Sequence, residues 1–233
     1  MYALDNLRLT GYDMTMEKRY VKIFIAVQAL LYAAFLWLDM SGAGGSRWIK
    51  YASIVLCLGF SALLSARGGE GLVTAAMGFT LAADTFLLIL DTAYAAGVAL
   101  FCAVQALYFV RIYRANGRRA ALPARLALLL AAVAALWMLD MLSPLNLLAA
   151  LYFTAFVCNA AQSLSIKNAL FSAGLILFLC CDICVGVHNV PELFSAGLRS
   201  FADIGMWLFY LPAQVLITLA ARKADAYLCS MTA

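Results

Sequence analysis

Two aspartates, Asp84 and Asp182, stand deep inside long apolar runs of this 233-residue chain. A carboxylate at the centre of a bilayer costs at least about 2.5 kcal/mol, so such residues usually face a polar interior and do chemical work there. Each lies about thirteen residues beyond the start of its run, a climb of about 20 Å at 1.5 Å per residue. The pair is therefore expected at one depth. Two carboxylates in a low-dielectric cavity repel, so one tends to hold a proton while the other stays ionised, which sets an acid beside a base. Asp84 and Asp182 are the expected catalytic residues. The bland alternative gives each a hydrogen bond to a Gln, Asn or Tyr on a neighbouring helix.

Other polar residues in or at the ends of these runs are candidates for substrate binding. Lys50 opens the second run, where a lysine either meets an anion or extends its ammonium to the membrane surface. Gln105, Asn159 and Gln214 lie mid-run, and their amides need partners in lipid. Bonding between helices is the default reading for them, and contact with a substrate is the second. Tyr108 and Tyr152 can reach the same cavity, with aromatic packing as their ordinary role. Asp39, Asp140 and Asp203 fall near run ends, where solvated helix termini account for them equally well.

Some chemistries are disfavoured. Cys181, Cys184 and His188 share a helical face at i, i+3 and i+7, a spacing suited to zinc. His188 is the sole histidine and falls at the outer end of its run, so the expectation is no metal, no other cofactor and no Ser-His-Asp triad. Gly42, Gly44 and Gly45 fit a short connection better than a phosphate-binding loop.

The elements that must position these residues follow from composition. Of all residues 66% are hydrophobic and 12% charged, against roughly 25% charged in a soluble domain. The apolar residues form runs of about twenty, the length that carries a helix through some 30 Å of hydrocarbon. The predicted fold is all-α: a polytopic membrane helix bundle with spans near 20–40, 48–66, 71–90, 94–113, 123–142, 145–164, 168–188 and 200–221. Residues 1–19 are expected as a cytoplasmic N-terminal segment, 20–221 as the eight-span domain and 222–233 as a cytoplasmic tail. The first nineteen residues are polar and the first apolar run exceeds a cleavable signal, so the first span is expected to stay. The net charge of +4 sits beside spans and not on a soluble face, which argues against a nucleic-acid partner. Seven cysteines, almost all in apolar runs, read as small hydrophobes and not as a disulfide framework.

Lysine and arginine resist translocation, and their distribution sets orientation. Thirteen of the sixteen, including Lys18, Arg67, Arg111, Arg114, Lys167 and Arg222, fall on one side of the expected spans, and Arg47, Lys50 and Arg199 on the other. Both termini are then cytoplasmic, which an even number of spans requires. A weak internal likeness aligns Gly78–Asp84 with Ile176–Asp182, and the following runs carry Gln105 and Gln214. Four spans per half would make these parallel repeats.

Residues from the second span onward resemble the YhhN-like lysoplasmalogenase family. Lys50 in Trp48-Ile49-Lys50-Tyr51 is similar to a lysine that opens an early span in that family. Gly78 through Leu87, with Asp84, resembles a glycine-aromatic stretch ending in Asp and followed by Leu. Gly97, Phe101, Gln105 and Tyr108 resemble a Gly-x-x-x-Phe segment leading to a polar residue and tyrosine. Phe178 to Asp182 looks like a Phe-x-x-Ser-Asp element, and Tyr210, Ala213, Gln214, Leu216 and Ile217 resemble Tyr-x-x-Ala-Gln-x-Leu-Ile. The chain has Gln105 where the family usually has histidine, and Cys181 where it has serine. If that histidine shuttles protons, glutamine cannot replace its titration.

The resemblance implies a multi-pass protein of the cell membrane that hydrolyses the vinyl ether bond of a lysoplasmalogen, a lysophospholipid, to a fatty aldehyde and a glycerophospho head group. Membrane lipids are its surroundings and its substrate class. Protonating the carbon–carbon double bond gives an oxocarbenium ion that water attacks, so an acid and a neighbouring base or anion suffice. Lys50 would hold the phosphate. Rival readings are a proton-coupled transporter of a small molecule or lipid, which also uses mid-membrane carboxylates, and a lipid-binding protein without catalysis.

Overall fold

In a computed structural model of the chain, residues 2–42 and 44–222 are described, with side chains from Glu17 onward except that of Pro191. The chain forms eight long helices: α1 (Tyr2–Ser41), α2 (Ser46–Ala66), α3 (Gly71–Asp84), α4 (Tyr94–Ala115), α5 (Leu122–Met138), α6 (Pro144–Ser163), α7 (Ala169–Asn189) and α8 (Ala196–Leu219). A π-helical turn, Thr85–Leu90, continues α3, and a single 3-10 turn, Pro191–Leu193, precedes α8. This is the polytopic helical bundle that the run lengths predict. Among the described residues, seven helices are long and apolar enough to cross a membrane, and α5 is a shorter apolar one.

α1 is helical from Tyr2 onward, and within it Glu17–Ser41 is apolar enough to span. Polar side chains do not stop a helix, since backbone hydrogen bonding is local and continues through them. The fifth span closes at Met138 and not near 142, because Asp140 takes a left-handed backbone (φ 54°) that no helix continues through. Of the expected C-terminal tail, Lys223 and everything after it, including Cys229, lies outside the described residues.

The bundle is polar within and apolar without. Gln28, Lys50, Thr80, Asp84, Gln105, Arg111, Asn159 and Gln214 are buried, while Leu30, Trp37, Leu126, Leu130, Trp137 and Ile176 are exposed. A water-soluble fold would reverse this, so the outer surface is matched to lipid. α7 packs most extensively on α8, and α3 on α4. α5 packs on α6 and buries none of its own residues.

Two glycines permit the tightest approaches between helices. A Cβ on Gly174 of α7 would lie 2.6 Å from Ile217 Cγ1 and 3.1 Å from the carbonyl oxygen of Ala213 on α8. One on Gly97 of α4 would lie 2.5 Å from Leu87 Cγ in the π-turn. Small residues of this kind let membrane helices touch backbone to backbone.

Candidate active site

Asp84 ends the α-helical part of α3, and the chain widens into the π-turn at the next residue. Such local widenings are rare and cluster at functional sites. The Asp84 side chain is 5% exposed, and the Tyr210 hydroxyl on α8 donates a 2.7 Å hydrogen bond to its Oδ2. Thr85 Oγ1 donates to the Leu81 carbonyl at 2.8 Å and lies 2.9 Å from the Tyr51 hydroxyl of α2. This pins the widened turn against α2.

Beside the turn is a cleft of about 420 Å³, lined by Gly44, Arg47, Lys50, Leu87, Asp91 and Trp207 among others. Lys50 is buried, pairs with Asp39 of α1 at 2.8 Å, and sits 4.4 Å from the Trp207 ring centroid and 5.2 Å from that of Phe35. A desolvated ammonium against aromatic faces is strongly held. Asp91 closes the π-turn in the left-handed region (φ 49°), where a short polar residue is tolerated. Trp207 packs edge-on against Tyr210, with ring centroids 5.8 Å apart. Trp207, a wall of the cleft, thus packs on the tyrosine that holds Asp84.

Asp182, on α7, is held in the same manner by a different helix. The Tyr152 hydroxyl of α6 donates to its Oδ2 at 2.5 Å. Gln105 lies beside that tyrosine hydroxyl, and Asn159 Nδ2 donates to the backbone carbonyl and Oε1 of Gln105 at 2.8 and 2.9 Å. Arg125 of α5 then donates through Nη2 to Asn159 Oδ1 at 2.8 Å and to Gln162 Oε1 at 2.6 Å. Polar side chains therefore extend from Asp182 across α6 and α4 to α5, with a break at Gln105 Nε2, which has no hydrogen-bond partner among the described residues.

The two carboxylates occupy one neighbourhood. Cys181, 5% exposed, lies within electrostatic reach of both, and Tyr152 and Tyr210 lie within reach of each other. Among the described residues no hydrogen bond joins Asp84 to Asp182. Each has its own tyrosine, and the Phe178 ring packs on Tyr210 at 5.4 Å and on Phe156 at 4.8 Å.

The remaining candidates are placed elsewhere. Gln214 is fully buried one helical turn below Tyr210, and neither atom of its amide has a hydrogen-bond partner among the described residues. Tyr108 is buried further along, near Cys57 and Arg111, with its ring edge-on to Phe171 and its hydroxyl likewise unpartnered. His188 Nδ1 lies 2.6 Å from Asp203 Oδ1 at the surface, and Cys184 packs against Gly205. Sequence reasoning missed Trp207 as a wall of the cleft and Arg125 as the end of the polar chain. Arg125 carried a usable signal, being a cation three residues into an apolar helix.

In comparison with known proteins, the model of the YhhN family matches residues 45–221. No curated protein and no solved structure matches the chain.

Proposed function

Because the chain belongs to the YhhN family, we propose that it is a membrane-embedded hydrolase that cleaves the vinyl ether bond of a lysoplasmalogen. The observation that carries this reading is the pair of tyrosine-held carboxylates, Asp84 and Asp182, with a charged cleft bordering the π-turn that follows Asp84. One carboxyl gives its proton to the outer carbon of the double bond, leaving an oxocarbenium ion on the ether side. The other carboxylate stabilises that cation and takes a proton from the attacking water. The resulting hemiacetal collapses to a fatty aldehyde and a free glycerol hydroxyl, so atoms and charge balance without a cofactor. Lys50 and Arg47 offer positive charge for the phosphate, and Asp91 offers negative charge for an ammonium on the head group. The protein would act in the cell membrane with both termini in the cytoplasm.

The test is aldehyde release from a purified lysoplasmalogen by the detergent-solubilised protein and its Asp84→Asn and Asp182→Asn variants. Loss of at least a hundredfold in each supports the assignment. Release undiminished in either variant rejects it.

A second reading, proton-coupled transport, draws on buried polar atoms of Thr80, Gln214, Tyr108 and Arg111 that have no hydrogen-bond partner among the described residues and lie on helices long and apolar enough to cross the membrane. Uptake by proteoliposomes without product formation would favour it over hydrolysis.

A further inference from the structure

At the end of the bundle away from the carboxylates, a second cleft of about 690 Å³ opens between the start of α3, the last turn of α4 and the connection from α6 to α7. Arg111, Arg114 and Lys167 line it, with Glu70 as its one acidic wall. Three cations against one carboxylate leave an excess of positive charge. Glu70 is already committed: Arg111 bonds it through Nε and, at 3.0 Å, through Nη2. Arg111 is also tied to the Ala220 carbonyl at 3.0 Å and lies 3.8 Å from the Phe171 ring centroid. It is 5% exposed, and its Nη1 has no hydrogen-bond partner among the described residues.

The two outer cations, Arg114 and Lys167, are exposed, and among the described residues neither forms an ion pair. The backbone adds to the field. α3 begins at Gly71 with no side-chain cap, because Glu70 turns to Arg111 instead. Gly71 and Leu72 line the cleft, and as the first two residues of the helix their N–H groups have no intrahelical acceptors. Uncapped N–H groups beside two uncommitted cations make an anion site of the kind that holds phosphate.

We propose that this cleft binds a phosphate group, as the head of an anionic lipid or as a soluble phosphate, at a site separate from the carboxylates. The site stands independently of the hydrolase reading. Basic residues also gather at a membrane surface for orientation alone, and that explanation predicts no difference between Arg114 with Lys167 and the neighbouring Arg118 with Arg119.

The experiment uses the full chain in nanodiscs of phosphatidylcholine with one part in three phosphatidylglycerol, and measures retained lipid by native mass spectrometry. Removing two direct ion contacts to a bound phosphate, each worth about one kcal/mol at an exposed site, should weaken retention about thirtyfold. The variant carrying Arg114→Gln and Lys167→Gln is expected to lose that much phosphatidylglycerol. The variant carrying Arg118→Gln and Arg119→Gln should lose less than about threefold, as should the charge-keeping Arg114→Lys with Lys167→Arg. In nanodiscs of phosphatidylcholine alone, inorganic phosphate that raises the unfolding temperature of the wild type and not of the first variant identifies the soluble source. Equal loss in the two glutamine variants overturns the proposal. So does a wild type that neither retains phosphatidylglycerol nor responds to phosphate.

Discussion

The Tyr210 hydroxyl donates to Asp84 at 2.7 Å across 126 residues of sequence, joining α8 to α3 immediately before the π-turn. The bond fixes the carboxyl in direction, leaving its other oxygen to act. Replacing Tyr210 with Phe keeps the ring packing on Trp207 and Phe178 and deletes the donor. A hydrogen bond to a charged group contributes about 1.5–3 kcal/mol, so kcat/KM for aldehyde release should fall about tenfold to a hundredfold. Tyr152→Phe should behave alike through Asp182. Steady-state kinetics of both variants check this.

Lys50 and Asp39 are unequal partners, since the lysine side chain is 7% exposed and the aspartate 39%. Asp39→Asn strands a buried ammonium, whereas Lys50→Met leaves only a half-exposed carboxylate in contact with water. Breaking a fully buried pair costs about 3–5 kcal/mol. Partial exposure and the aromatic contacts reduce this to about 2 kcal/mol for Asp39→Asn. Thermal unfolding should therefore rank Asp39→Asn below Lys50→Met in stability. If the ammonium holds the substrate phosphate, KM should rise more in Lys50→Met.

Gly174 and Gly78 should respond oppositely to a side chain. At Gly174 a Cβ meets Ile217 and backbone atoms of α8, while at Gly78 nothing lies within 4 Å. Gly174→Val should separate α7 from α8 at a cost of about 1–3 kcal/mol. Gly78→Ala should leave the unfolding temperature unchanged or raise it. A matching drop in both would argue against the α7–α8 contact.

Arg125 is the side chain that ties α5 to Asn159 and Gln162. Because α5 buries no residue of its own, Arg125→Ala should loosen it preferentially. Faster hydrogen exchange in α5 than in α3 or α7 is the expected result.

Orientation hinges on α5 as well. Its seventeen residues span about 25 Å, at the lower limit for crossing. If α5 crosses, the spans number eight and both termini share the side rich in lysine and arginine. Reporter fusions at Met1 and after Ala233 should then both be active in the cytoplasm. Opposite sides for the two would mean that α5 lies along the membrane surface.

The bundle and the identity of the costly residues were legible in the sequence alone. Transfer into hydrocarbon is a local sum over about twenty residues, so the runs declare the helices wherever they later pack. Asp84 and Asp182 declare themselves for the same reason, each being unaffordable in lipid without a purpose. What they touch was not legible. A residue's neighbour across a bundle depends on how each helix is rotated about its axis and which helices lie side by side, and those angles emerge from packing the whole set. Hence only the tertiary structure decided that each aspartate takes a separate tyrosine, that Lys50 turns to Asp39 and Trp207, and that Arg111 and Glu70 meet at the far end. Backbone geometry set the last boundaries: the π-turn after Asp84 and the left-handed Asp140 are conformations that hydropathy does not record.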